Sequence, residues 1–420
     1  MPQTLTPERC HGLLPQNGLV WLNECSAASP LLHRVIAAEP GPQGLTVTGV
    51  FVPGLNRLSP LAGHGRRIET VLAAPDLDGL PGDQVSFLPL SYRDLWGRLC
   101  RRPPDAALFA VSPPDRDGMC SFGTVCDVLP ALWPRIPVRI AQINPSMPRT
   151  AGAPLIPLAA LSAVIEGDTP LPELAPPPHA AADLAGQHLA ELVPDGAVIQ
   201  LGLGQMPEGA LRALASHRNL RIHSGLIGDA VLDLLLAGAL APGSPVDAGV
   251  AIGSRRLYDA VSQDAFRFRP VSWTHDRLRM AGLGRFVTIN SAQQVDLFGQ
   301  VHSEMAGGRF HSGAGGAPDF AAGAGLAAAG LRVIVLQAAR GPGRPGRIVA
   351  AGAGEGPVTL SRHDVDVVVT EFGAADLRGL THHQRADRLI AIAAPADRAA
   401  LSASLSGPYS AAMAWNRDRA

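Results

Sequence analysis

Lysine is absent from the 420 residues, so all 35 basic side chains are arginine. Schiff-base chemistry through lysine, attachment of pyridoxal phosphate and a P-loop ending in Gly-Lys-Ser/Thr are therefore excluded. Cysteine is scarce. Its five copies (Cys10, Cys25, Cys100, Cys120, Cys126) are odd in number and form no C-x-x-C pair, which argues against a disulfide framework and against a zinc site. His223, His302, His311, His363 and the His382-His383 pair lack metal-ligand spacing, so no metal is expected. There is no G-x-S-x-G elbow of the kind a serine hydrolase of the α/β class requires. Charged residues make up only 17% and sum to a net −1, which gives no general reason to bind nucleic acid or an anionic membrane. The opening Met-Pro-Gln-Thr-Leu-Thr-Pro-Glu-Arg lacks a charged-then-apolar signal pattern. The longest apolar run, Phe320 to Ala339, is mostly Ala and Gly and carries Arg332, so it reads as a helix and a buried strand, not a membrane span. A cytoplasmic protein without a membrane partner is expected.

What the chain does have is apolar content, 46%, and a length too great for one ordinary core. Pro170-Leu-Pro172-Glu-Leu-Ala-Pro176-Pro177-Pro178 reads as a linker, dividing the chain into domains 1–175 and 176–420. The two sides open alike. Leu14-Pro15-Gln-Asn-Gly18-Leu-Val-Trp-Leu, Ser29-Pro30 and Leu45-Thr-Val-Thr-Gly49 are matched by Val193-Pro194-Asp-Gly196-Ala-Val-Ile-Gln-Leu, Met206-Pro207 and Leu220-Arg-Ile-His-Ser224. In both, a short turn from proline to glycine (Pro15 to Gly18, Pro194 to Gly196) feeds an apolar strand, a proline (Pro30, Pro207) starts a helix, and another strand follows. Short apolar runs at Ala106–Val111, Val138–Ile143, Leu331–Leu336 and Val365–Val369 suit strands buried on both faces of a parallel sheet. Gly209–Ser216 and Ala230–Ala239 favour helix. The expected fold is α/β: two tandem open α/β domains with mainly parallel sheets, related by internal duplication.

Several blocks carry chemistry. Gln200-Leu-Gly202-Leu-Gly204 follows a strand, but the third glycine of a dinucleotide fingerprint would fall at Pro207, so that pattern fails and with it a hydride-transfer enzyme. The turn is either a tight strand-to-helix connection or a row of backbone N–H groups at the mouth of a site. Further on come Ile289-Asn290-Ser291, Gly299-Gln300-Val-His-Ser303-Glu304 and Ser312-Gly313-Ala314-Gly315-Gly316-Ala317-Pro318-Asp319-Phe320. Glycine in such a loop permits close approach to a ligand. Arg340-Gly-Pro-Gly-Arg344-Pro-Gly-Arg347 sets three guanidinium groups on one loop, either solvated or turned to phosphates.

Together with Val111-Ser-Pro-Pro-Asp115-Arg-Asp-Gly118-Met-Cys120-Ser121-Phe-Gly123, Asn144-Pro-Ser-Met147-Pro148-Arg149-Thr150, His223-Ser224-Gly225-Leu-Ile-Gly-Asp229 and Thr370-Glu371-Phe-Gly373-Ala-Ala-Asp376-Leu, these blocks resemble the acetyl-CoA hydrolase/transferase family in one order from Gly54 to Leu401. The group includes 4-hydroxybutyrate CoA-transferase. The resemblance implies a substrate, coenzyme A or an acyl-CoA, with a small carboxylate as partner, no tightly bound cofactor, and a homodimer or tetramer. It implies that Ser312, Gly313, Gly315 and Gly316 line the coenzyme A site; Gly202 and Gly204 at its mouth, and Arg340 and Arg347 on its phosphates, belong to the functional readings of those two loops. It also exposes a departure. The family's nucleophile is a glutamate after His-Ser or His-Thr, and here that position is Gly225. Covalent transfer needs a carboxylate there. Three outcomes are open. Water attacks the thioester with help from a base; or another carboxylate, Glu304 before Glu371 or Glu208, takes over; or the protein binds acyl-CoA without turnover. A glutamate restored at position 225 would show whether the rest of a transferase site is intact.

Overall fold

The computed structural model describes residues 2–341 and 343–405. The apolar runs of the first half form eight strands: β1 (Gln3–Thr4), β2 (Leu19–Leu22), β3 (Thr46–Gly49), β4 (Arg67–Thr70), β5 (Val85–Phe87), β6 (Ala106–Val111), β7 (Val138–Ile143) and β8 (Ala163–Glu166). They make one all-parallel sheet in the order β1-β8-β7-β6-β2-β3-β4-β5. The second half repeats the plan with β9 (Val198–Leu201), β10 (Arg221–Ile227), β11 (Val246–Ala251), β12 (Phe266–Phe268), β13 (Phe286–Ser291), β14 (Leu331–Val335), β15 (Val367–Thr370) and β16 (Gly373–Asp376). Their order is β12-β11-β10-β9-β13-β14-β15-β16, parallel except for the β15–β16 hairpin. In each sheet the first long strand of its half (β2, β9) is central, the next three fan out on one side, and the later three on the other. This matching order is the structural form of the duplication. Only the outermost place differs, taken by β1 in one sheet and β16 in the other.

Strands such as β6 are buried at every position, as both faces of a parallel sheet require. One apolar core runs through both halves, from Trp21, Phe109 and Phe122 to Ile199, Phe266 and Phe268. Backbone hydrogen bonds also cross between them: Cys126 N–H to Gly249 O (2.9 Å), Ala251 N–H to Thr124 O (2.9 Å) and Val271 N–H to Asp127 O (2.6 Å).

Six helices matter to the site: α1 (Pro30–Ala37), α2 (Tyr92–Arg101), α3 (Gln205–Arg212), α4 (Asp229–Leu236), α5 (Val271–Thr274) and α6 (Ala317–Leu326). Pro30 opens α1 as expected, with Ser29 accepting from Leu31 N–H. Pro207 does not open α3. That helix begins two residues earlier, behind Gly204, whose φ of 128° supplies the reversal that a side chain would resist. Pro207 then sits within the first turn, where a missing N–H breaks no bond.

Candidate functional site

The centre of the second sheet ends in glycine. Ser224 of β10 donates its hydroxyl to Leu201 O (3.2 Å) and accepts from Leu201 N–H (3.1 Å), which holds Gly202 and Gly225 side by side at the carboxyl edge. Gly202 donates its N–H to Ile289 O (2.7 Å), and a Cβ there would fall 2.8 Å from Asn290 Oδ1. Asn290 is itself fixed by a reciprocal amide pair with Gln200 (3.1 and 3.2 Å). A side chain at position 202 would therefore have to displace that paired amide.

Position 225 is not vacant. A Cβ added there would meet His275 Cε1 at 2.9 Å, His275 Nε2 at 3.2 Å and Phe320 Cε2 at 3.2 Å. A Cβ at Gly316, in the loop ahead of α6, would meet the same His275 Nε2 at 2.6 Å. The imidazole thus lies between the nucleophile position and the glycine loop. It follows directly on α5, which His223 pins by donating from Nε2 to Thr274 O (2.9 Å). Its Nδ1 lies 2.9 Å from Thr274 Oγ1, its ring stacks on Tyr92 of the first half (5.1 Å, 9° between planes), and Phe320 packs at 4.5 Å. Only 5% of the residue is exposed, and burial, with His223 as a lesser cause, lowers its pKa to about 3. The ring is neutral throughout the ordinary pH range. His275 had no sequence signal: it is one histidine among 13, in no motif, 50 positions downstream of Gly225.

The glycine loop is docked on the first half. Tyr92 donates its N–H to Gly315 O (3.1 Å), and a side chain at Gly313 would collide with Val71 O. Asp319 completes the joint, accepting from Arg93 N–H (2.9 Å), Ser91 Oγ (3.4 Å) and Arg277 (3.1 Å), so a carboxylate of α6 caps the start of α2. Ser312 donates its N–H to the backbone oxygen of Glu304 (3.3 Å), which ties the loop to that strand end.

The carboxylates are less available than their sequence positions imply. Glu304 is buried, which raises its pKa, and its Oε1 accepts from Thr359 Oγ1 (3.0 Å). Glu208 accepts from Ala230 N–H (2.5 Å), capping α4, and Glu371 accepts from Ala338 and Ala339 N–H (2.7 and 2.9 Å). None of the three supplies an atom nearest to position 225. Arg347 is held on Gln293 Oε1 (2.8 Å), and its pKa is lowered by burial and then by the charge of Arg340 on the same loop. Two surface clefts, of about 290 Å³ beside Arg255 and Tyr258 and about 560 Å³ beside Arg332 and Arg385, lie apart from these residues. Among the described residues no group of three or more His, Cys, Asp or Glu is placed to hold a metal, and no helix is long and apolar enough to cross a membrane.

Residues 253–405 match the family model described as "Acetyl-CoA hydrolase/transferase C-terminal domain". The chain is 39% identical over 310 residues to the 4-hydroxybutyrate coenzyme A transferase of Clostridium kluyveri, covering 72% of each protein. It is 36% identical over 326 residues to the succinyl-CoA:cyclohexane-1-carboxylate CoA transferase of Geobacter metallireducens, covering 75% of this chain and 72% of that one. Among solved structures, RipA from Yersinia pestis superposes with a TM-score of 0.89 at 25% identity, over 96% of this chain and 97% of that one.

Proposed function

The chain belongs to the acetyl-CoA hydrolase/transferase family, and from that premise we propose that its own reaction is hydrolysis of an acyl-CoA thioester. It is an acyl-CoA-utilising enzyme, working by thioester hydrolysis or by CoA transfer to a carboxylic acid. The observation that carries hydrolysis is Gly225. A family glutamate would attack the thioester and form a covalent intermediate, and glycine has no group to do so. Water is then the nucleophile. Its oxygen bonds to the carbonyl carbon, its proton passes to a base, the C–S bond breaks, and the CoA thiolate leaves and takes up a proton. Backbone N–H groups of Gly313, Gly315 and Gly316 are proposed to steady the oxyanion, with Ser312 beside them. Gly202 and Gly204 border the thioester, and Arg340 and Arg347 take the phosphates of CoA. Coenzyme A enters as substrate, not as a tightly bound cofactor. The domains are proposed to divide at residues 1–175 and 176–420, in a cytoplasmic homodimer or tetramer.

The names of the relatives favour a second reading, transfer through another carboxylate, for which Glu304 is the candidate. A mass-resolved assay with short and medium acyl-CoAs, with and without excess acetate, separates them. Free CoA forming regardless of acetate supports hydrolysis. Acetyl-CoA forming only with acetate supports transfer, and loss of that exchange in Glu304→Gln would assign the carboxylate.

A further inference from the structure

We infer that His275 is the general base of this enzyme, standing in the place that the family's glutamate side chain would fill. The inference rests on the hydrolytic reading. Of the atoms nearest a side chain at position 225, two belong to this one imidazole, and its Nε2 also lies 2.6 Å from where a Cβ of Gly316 would be. Glycine at 225 and at 316 is what gives the ring its room. Both glycines are partly exposed and the Nε2 edge lies against them, between the strand end and the glycine loop, whereas the remainder of the ring is covered by Tyr92 and Phe320.

The other nitrogen is held for this task. Thr274 Oγ1 lies 2.9 Å from Nδ1 and 3.4 Å from Pro270 O. When the threonine hydroxyl donates to Pro270 O, Nδ1–H donates to Thr274 Oγ1 and the lone pair of Nε2 is left facing the two glycines. A water between Nε2 and the thioester gives its proton to Nε2 as its oxygen bonds to the carbonyl carbon, and the negative charge developing on the oxyanion beside the ring offsets the burial that otherwise keeps the imidazole neutral. The tetrahedral oxyanion then collapses, the C–S bond breaks, and the imidazolium returns its proton to the departing thiolate. The ring ends neutral, and the products are a carboxylic acid and CoA-SH. Glu304, the carboxylate in the sequence most suited to be a base, is instead bonded to Thr359, and its atoms are not among those nearest position 225.

The test is CoA release by the full chain, by H275N and by H275G, with thermal unfolding as the control for folding and calorimetry for CoA affinity. The expected result is a fall of about 100-fold or more in kcat for H275N, with CoA affinity held within about threefold, and recovery of H275G by free imidazole in solution. Wild-type release that persists in H275N within about threefold overturns the assignment and leaves the hydrolytic reading standing. Loss in a folded H275G that imidazole does not restore also overturns it, because a ring with only a packing role gives that result. If the wild-type chain releases no CoA from any thioester, the hydrolytic reading fails and the role of His275 goes with it.

Discussion

The two sheets share a strand order and differ in what stands at the carboxyl end of their central strands. After β2 come Asn23, Glu24, Cys25 and Ser26, exposed by 1, 1, 2 and 0%. After β9 come Gly202, Leu203 and Gly204. On the next strand the pairing of Trp21 with Thr48 and of Ile199 with Ile222 sets Phe51, buried, opposite in rank to Gly225. At the first edge Ser26 Oγ joins the halves by donating to Ala251 O (2.6 Å), while Asn23 Nδ2 donates within the first half to Val125 O (3.4 Å). The second edge has glycine at 202, 204 and 225, and the space beside Gly225 goes to an imidazole delivered from elsewhere. Side chains close one copy of a duplicated edge into a joint, and glycines at the other leave room for a ring from elsewhere in the chain.

The largest effect is expected from filling the glycine edge. G225E alone places a Cβ 2.9 Å from His275 Cε1, so it should lower stability by roughly 1–3 kcal/mol and show no acetate-dependent exchange. The double variant G225E/H275G removes the obstructing ring and should gain that exchange, read as acetyl-CoA formed only when acetate is present. Exchange from G225E alone would break the comparison, since it would mean the edge had room for a side chain.

A pH series sharpens it further. The folded pKa of His275, about 3, lies below the ordinary 6.5, so from pH 6.5 downward the unfolded chain binds a proton that the folded one refuses. Stability should therefore fall as pH falls through that window, by at most about 1.4 kcal/mol per pH unit. Asp127 acts in the opposite sense: burial pushes its carboxyl up to about 6 from 3.8, and acid favours its folded form. The quantity to measure is thus the difference in unfolding free energy between wild type and H275N, which should shrink steadily from pH 7 to pH 4.

The smallest effect on activity belongs to the first edge. Glu24 is wholly buried, with Oε1 on His33 Nε2 at 2.9 Å and Oε2 without a partner among the described residues. Glu24→Gln should lower unfolding free energy by about 1–3 kcal/mol with kcat unchanged. A fall in kcat at unaltered stability would instead place the first edge in the reaction.

Much of this was legible in the sequence, for a physical reason. A strand buried on both faces must be apolar along its whole length, so runs such as Ala106–Val111 and Leu331–Leu336 announced themselves, and the paired proline-to-glycine turns announced the duplication. Gly225 was visible as a departure because its neighbours follow the family pattern. The start of α3 was misplaced, since the backbone angle of Gly204 decides it and no composition reports an angle. His275 was invisible for a different reason. It reaches Gly225 by tertiary folding alone, from the end of a four-residue helix, and its partners come from three separate stretches of chain: Tyr92, Gly225, and the segment holding Gly316 and Phe320. The carboxylates drew attention by their chemistry, yet Glu208 and Glu371 turn out to be occupied with backbone N–H groups.

The stack of Tyr92 on His275 has a consequence for how the chain is assembled. One ring comes from each half, and the loop bearing Gly315 takes its backbone hydrogen bond from the opposite half too. The site is therefore a property of the docked pair and of neither half by itself, as in a heterodimer whose subunits happen to share one polypeptide. The proline-rich segment between them is itself laid on the second half, with Pro172 O accepting from Tyr258 Oη (2.7 Å) and Leu174 N–H donating to Gly253 O (3.1 Å). Cut there and co-produced, the two pieces should find each other through the same apolar core and rebuild the site between them.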